Sequence, residues 1–112
     1  MPKLEKDIQN EICEWLKENN YFFWRQNNTP IFGRNNAGKM TFRSMGKYAM
    51  KGLPDIFILF KGWIIGLEVK RTNGIALRPD QSVFRDRIES NGGLYFKVSE
   101  LNRVIEILDN LQ

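Results

Sequence analysis

Apolar residues recur at helical spacing at Leu4, Ile8, Ile12, Trp15 and Leu16, and Asn19-Asn20 ends the run, which predicts a helix over residues 3–18. Tyr21-Phe22-Phe23-Trp24-Arg25 then reads as a short aromatic strand. Residues 26–52 lose any helical period and are rich in Asn, Gly and basic side chains. Short strands are expected near 31–34 and 40–43, joined by Asn35 to Lys39, within an otherwise irregular segment. Two blocks rich in β-branched and aromatic side chains follow, at 55–60 and 63–70, separated only by Lys61-Gly62. A loop from Arg71 to Arg78 leads to Pro79, a favoured first helical residue. The helix it opens should run to about Ser90, burying Val83, Phe84, the stem of Arg87 and Ile88, until Gly92-Gly93 stops it. Leu94 to Val98 is a strand, and Ser99 can cap a last helix with apolar positions Leu101, Val104, Ile105, Leu108 and Leu111. This order predicts an α/β sandwich: a mixed central sheet flanked by helices.

The pair of blocks around Lys61-Gly62 has a register that can be counted. A two-residue gap containing Gly predicts a tight hairpin, so Phe60 faces Trp63, Leu59 faces Ile64 and Asp55 falls opposite Glu68. Opposed residues share a face with Cβ atoms about 5 Å apart. A bulge or a longer loop would break the count. Lys70, two residues beyond Glu68, lies on the same face. Two carboxylates that close repel unless a cation lies between them, and oxygen-only ligands suit Mg²⁺ or Mn²⁺. The alternative for Glu68-Val69-Lys70 is a solvated ion pair. Against it, both strands are apolar on both faces, as central strands are, and ionised groups at their ends are costly unless paired or coordinated.

Composition narrows the chemistry further. The chain has 112 residues, enough for one domain with a modest core over 1–112, and no composition break divides it. Cys13 is the single cysteine, so an intrachain disulfide framework is excluded and a cytoplasmic setting is expected. Histidine is absent, which removes histidine-based triads and histidine metal sites and leaves carboxylates, lysine and metal for any phosphodiester chemistry. The net charge of +4 is unevenly spread: no acidic residue lies between Glu18 and Asp55. Arg25, Arg34, Lys39, Arg43, Lys47 and Lys51 fall in that stretch, with Asn27, Asn28, Asn35, Asn36, Phe42 and Tyr48 among them. Such a tract resembles a phosphate-contacting surface, a solvated basic loop being the alternative.

On the first helix, Glu5 falls inside the apolar arc, with Gln9 at its edge one turn later, whereas Glu11, Glu14 and Glu18 lie toward the opposite side. Glu5 is either a carboxylate turned toward a site or an ordinary acidic residue in a helix first turn.

These residues together resemble the VRR-NUC family of PD-(D/E)XK, restriction-endonuclease-like nucleases, and are most similar to the short standalone members of bacteriophages. The resemblance covers Glu5 and Gln9, Trp24-Arg25-Gln26-Asn27-Asn28, Gly52-Leu53-Pro54-Asp55, Glu68-Val69-Lys70, Gly74 through Pro79-Asp80-Gln81, and Gly92-Gly93-Leu94-Tyr95. It implies a restriction-endonuclease-like fold and a metal-dependent, structure-selective DNA endonuclease, with four-way (Holliday) junctions among the substrates and 5′-phosphate and 3′-hydroxyl products. By the same resemblance Asp55, Glu68 and the Val69 carbonyl would hold Mg²⁺ or Mn²⁺, with Glu5 completing the site directly or through water. Glu11 would take that place in another helix register. Lys70 would orient the attacking water and neutralise charge on the scissile phosphate, and Gln81 would position Lys70, water or phosphate.

Other readings stay open at this level. One is a non-catalytic nucleic-acid or junction-binding module, working with a helicase or replisome; another is a nuclease directed at RNA. Cutting a symmetric junction on two strands calls for two active sites, so a homodimer is expected, with Trp15, Trp24 or Trp63 as candidate contributors.

Overall fold

The computed structural model describes residues 3–26, 31–34, 40–43 and 48–112, with backbone only for 31–34 and 40–43. The elements are α1 (Glu5–Glu18), β1 (Phe22–Arg25), β2 (Ile31–Arg34), β3 (Met40–Arg43), β4 (Ile56–Phe60), β5 (Trp63–Val69), α2 (Pro79–Ser90), β6 (Leu94–Val98) and α3 (Leu101–Asn110). Every expected helix and strand is present within a residue or two of its expected bounds.

Four strands form a mixed sheet in the order β1-β4-β5-β6, and β2 and β3 pair separately as an antiparallel ribbon. β4 runs antiparallel to both of its neighbours, β1 and β5. β6 is parallel to β5, and α2 supplies the crossover that a parallel pair requires. The turn between β4 and β5 takes φ of 49° at Lys61 and 85° at Gly62, as the mirror-image hairpin turns demand. Its register is the one counted above, from Phe60↔Trp63 to Ile56↔Leu67.

One face of the sheet carries Ile56, Ile58, Ile65, Leu67, Val69 and Val98, which pack on Ile8, Ile12 and Leu16 of α1 and on Val104, Ile107 and Leu108 of α3. Most of these side chains are fully buried, and at about 1.5–3 kcal/mol each they account for the fold's main driving force. On the other face α2 lays Phe84 against Phe57 and Tyr95, with ring centroids 6.2 Å apart in both cases. Gly93 lets Ile88 come down onto the sheet: a Cβ there would lie 2.6 Å from Ile88 Cγ1 and 2.9 Å from Ile64 Cγ2.

Four local expectations are corrected. Leu4 is the residue before α1 and is exposed, because the helix starts one residue later than its apolar stripe. Val83 and Arg87 face outward on α2, where the buried residue is the polar Gln81. Ser99 does not cap α3: Glu100 is the N-cap residue, without a side-chain cap bond, and the Ser99 hydroxyl donates to Asn73 Oδ1 at 2.8 Å. On α3, Ile107 is buried while Ile105 is only partly covered.

Candidate functional site

Asp55 stands one residue before β4, and its carboxylate Oδ2 accepts the backbone N–H of Val69 at 2.8 Å, beyond the last rung of the hairpin ladder. The same bond ties Asp55 to the strand that bears Glu68. Glu68 is 4% exposed and Lys70 is 8% exposed, with Lys70 Nζ 4.0 Å from Glu68 Oε2. The backbone N–H of Lys70 donates to the Val98 carbonyl at 2.9 Å, so the end of β5 is held from β4 on one side and from β6 on the other.

Glu68 is the electrostatic anomaly of the fold. Burial raises its pKa first, then a side-chain hydrogen bond with Asp55 and the like charge there; Lys70 and Arg78 pull it back, and the result is about 9. Its Oε1 is buried with no hydrogen-bond partner among the described residues. Buried polar atoms are nearly always paired, so an orphaned carboxylate oxygen beside a second carboxylate fits a place for a cation. A divalent ion with oxygen ligands, such as Mg²⁺ or Mn²⁺, suits this donor set, and two carboxylates are enough when water and a phosphate complete the shell.

Gln81, 3% exposed, lies in the first turn of α2, where its Oε1 accepts the Arg78 backbone N–H at 2.9 Å. That bond closes the helix start and fixes the side chain. The Asp80 carboxylate in turn accepts the Gln81 N–H at 3.0 Å.

The other expected residues are placed unevenly. Glu5 is half-buried in the first turn of α1, and among the described residues no group of three or more Asp, Glu, His or Cys is gathered that could hold a metal. Glu11 forms an ion pair with Lys3. Arg25 is exposed and anchored, its Nε donating to Gln9 Oε1 at 3.0 Å and its Nη1 to Asn10 Oδ1 at 2.9 Å, which gives Gln9 a structural role. Lys51 is exposed. Asn27, Lys39 and Lys47, and the side chains of Arg34 and Arg43, lie outside the described residues.

Several site-building residues carry no periodic signal. Gly52 has φ of 76°, and a Cβ on it would lie 2.2 Å from the Asp80 carbonyl oxygen and 2.9 Å from the Gln81 nitrogen. The bare backbone there lets the segment leading to Asp55 lie flush against the start of α2. Pro54 is received in the same way by Gly66 of β5, where a Cβ would meet Pro54 Cγ at 2.8 Å. Tyr95, in register with Gly66, is buried, and its hydroxyl has no partner among the described residues. Burial, and then the charges of Glu68 and Asp55, raise the pKa of that hydroxyl. Lys97, in register with Glu68, donates to the carbonyls of Asn73 at 3.0 Å and Ile75 at 2.9 Å, pinning the loop between Lys70 and α2. The motif segments around Gly52, Pro54 and Tyr95 were visible in the sequence; Lys97 had no signal there.

An α/β sandwich with a mixed four-stranded sheet, and an Asp, Glu and Lys meeting at the ends of its two central strands, defines the architecture. The fold is that of the VRR_NUC domain: a solved structure described as "VRR_NUC domain" superposes with a TM-score of 0.63 at 18% identity, covering 94% of this chain and 94% of that one. No family model matches the sequence, and no curated protein matches it significantly. Among the described residues no helix is long and apolar enough to cross a membrane.

Proposed function

We propose that this chain is a divalent-metal-dependent DNA endonuclease of the PD-(D/E)XK type, with branched DNA such as four-way junctions as its substrate and a pair of chains acting on the two strands. The observation that carries this reading is the buried Glu68 carboxylate. It stands beside Asp55 and Lys70 with one oxygen unpartnered among the described residues, an arrangement that costs stability unless a cation is bound there. The likeness in fold to the VRR_NUC domain supports the same reading.

Asp55 and Glu68, with the Val69 carbonyl, would hold Mg²⁺ or Mn²⁺; Glu5 would join them only through water. When bound, such an ion lowers the pKa of water and polarises a phosphoryl oxygen. Lys70 contributes a positive charge beside the carboxylates, where it orients the nucleophilic water and offsets charge that builds on the phosphate oxygens in the transition state. Gln81 is fixed by its bond to the Arg78 N–H and orients groups at the site's α2 edge. Exposed Arg25 and Lys51 draw the phosphate backbone in.

The test is cleavage of end-labelled four-way junction, splayed-arm, nicked and linear duplex DNA, and of matched RNA, in Mg²⁺, Mn²⁺ or EDTA. Metal-dependent cutting that leaves 5′-phosphate ends on branched DNA is expected. Metal-independent binding without cutting would assign the chain to the binding-module reading, and preferential cutting of RNA would reassign the substrate.

Gly52→Ala probes the link between the strand pair and Gln81. The added methyl must displace the backbone of Asp80 and occupy a left-handed conformation. A loss of about 1–3 kcal/mol in stability is expected, read by thermal melting. Cleavage should fall by about 10²-fold, because a shift near 1 Å at a positioning group has that effect.

A further inference from the structure

We infer that Phe22 and Trp24 form a stacking platform for unpaired nucleobases on the same sheet face as the carboxylates, so that the site takes DNA with splayed nucleotides beside the phosphate it cuts. This rests on the nuclease reading for the identity of the substrate. β1 is the outermost strand of the sheet, with Trp24 in register with Phe57 and Phe22 with Leu59. Strand alternation puts Phe22, Trp24, Phe57 and Asp55 on one face, and Trp24 is offset from Asp55 by two residues, about 7 Å along the strands. The Gln26 N–H, which donates to the Asp55 carbonyl at 2.7 Å, ties this edge directly to the site.

Both rings are exposed, Phe22 at 65% and Trp24 at 39%, and both are braced. Trp24 stacks on Phe57 at 5.3 Å and 28°, Phe22 meets Trp24 edge-on at 6.1 Å, and Phe57 is backed by Phe84 of α2. Large apolar rings held rigid at the surface suit a partner that is itself flat and apolar on its faces. Charge selects which partner. The rings lie in the stretch from Asn19 to Pro54 that has no acidic residue, and on their own face the proposed site sets Lys70 beside Glu68, whereas Arg25 turns to the opposite face and bonds Gln9 and Asn10 of α1. Cations interleaved with aromatic rings form the grooves that bind single-stranded nucleic acid, where each base stacks and the phosphates are neutralised.

The experiment measures binding to full-length protein in EDTA, so that cutting does not intervene. It uses splayed-arm DNA with 2-aminopurine at the first unpaired position, and fully paired duplex as control. The wild-type protein should quench the probe. The double variant Phe22→Leu, Trp24→Leu should lose the quenching and bind splayed-arm DNA about tenfold more weakly or worse, with duplex affinity unchanged. Trp24→Phe should retain most of the effect, which separates stacking from folding, and circular dichroism checks that every variant is folded. Equal loss on both DNAs, no quenching by wild type, or a change from dimer to monomer in sedimentation without selective loss would overturn the inference, the last by assigning the rings to self-association. Cleavage in Mg²⁺ without any stacking signal would sink the platform and leave the nuclease intact. A stacking signal without cleavage would do the reverse.

Discussion

Replacing Lys70 with methionine is expected to lower the rate of phosphodiester cleavage by about a thousandfold while leaving DNA affinity within a few-fold, because removing one preorganised charge from a transition state has an effect of this order. The ammonium group is 4.0 Å from Glu68 Oε2 and buried, so its field acts on the reacting centre with little screening by solvent. Methionine keeps the apolar stem, and with it most of the packing. Lys70 also lowers the pKa of Glu68, so its removal should make the carboxylate still harder to ionise and raise the metal concentration needed for half-maximal activity. Single-turnover cleavage across a Mg²⁺ series separates the two effects. A variant cutting within threefold of wild type at saturating metal would show that Lys70 is not part of the chemistry.

Glu68→Gln should abolish cleavage and yet stabilise the metal-free protein. The pKa of Glu68 in the fold, about 9, lies above its ordinary 4.5, so between those pH values the folded chain holds a proton that the unfolded chain has released. Stability of the metal-free protein therefore falls as pH rises through that window. Glutamine cannot ionise, so the variant should lose this slope and melt above wild type at pH 8 in EDTA, by about 1–4 kcal/mol, the usual range when a buried ionic group is replaced. Mn²⁺ should reverse the order: it binds the ionised carboxylate, raising the melting temperature of wild type but not of Glu68→Gln. Melting curves from pH 5 to 9, with and without Mn²⁺, read both effects.

The hairpin was legible because a two-residue turn leaves no freedom in the count. Once Lys61 and Gly62 turn the chain, Asp55 must meet Glu68. The helices of the core face were legible for a similar reason, since Ile8, Ile12 and Leu16 repeat along one stripe. α2 was harder. Its stripe is short, with Val83, Phe84 and Ile88 as its only aliphatic and aromatic residues, and its rotation is set by Gln81 closing the helix start and by Asp80 resting against Gly52. Those contacts join segments remote in sequence, which no local period encodes. The same holds for Ser99, drawn to Asn73 rather than to α3, and for Lys97 gripping the carbonyls of Asn73 and Ile75. The electrostatic state of Glu68 was half visible: the like-charge pair can be counted along the strands, but its largest cause, burial, exists only once the chain has folded around the strand ends.

The most direct test of a cation site between Asp55 and Glu68 is a calorimetric titration of Mn²⁺ into the metal-free protein at pH 7, run in two buffers of different ionisation enthalpy. Binding should release about one proton, the one Glu68 holds in the metal-free fold, because metal ligands must shed their protons to bind. Both the binding and the proton release should vanish in Asp55→Ala. A wild-type protein that takes up no Mn²⁺, or an Asp55→Ala protein that takes it up equally well, would contradict the metal site and with it the proposed chemistry.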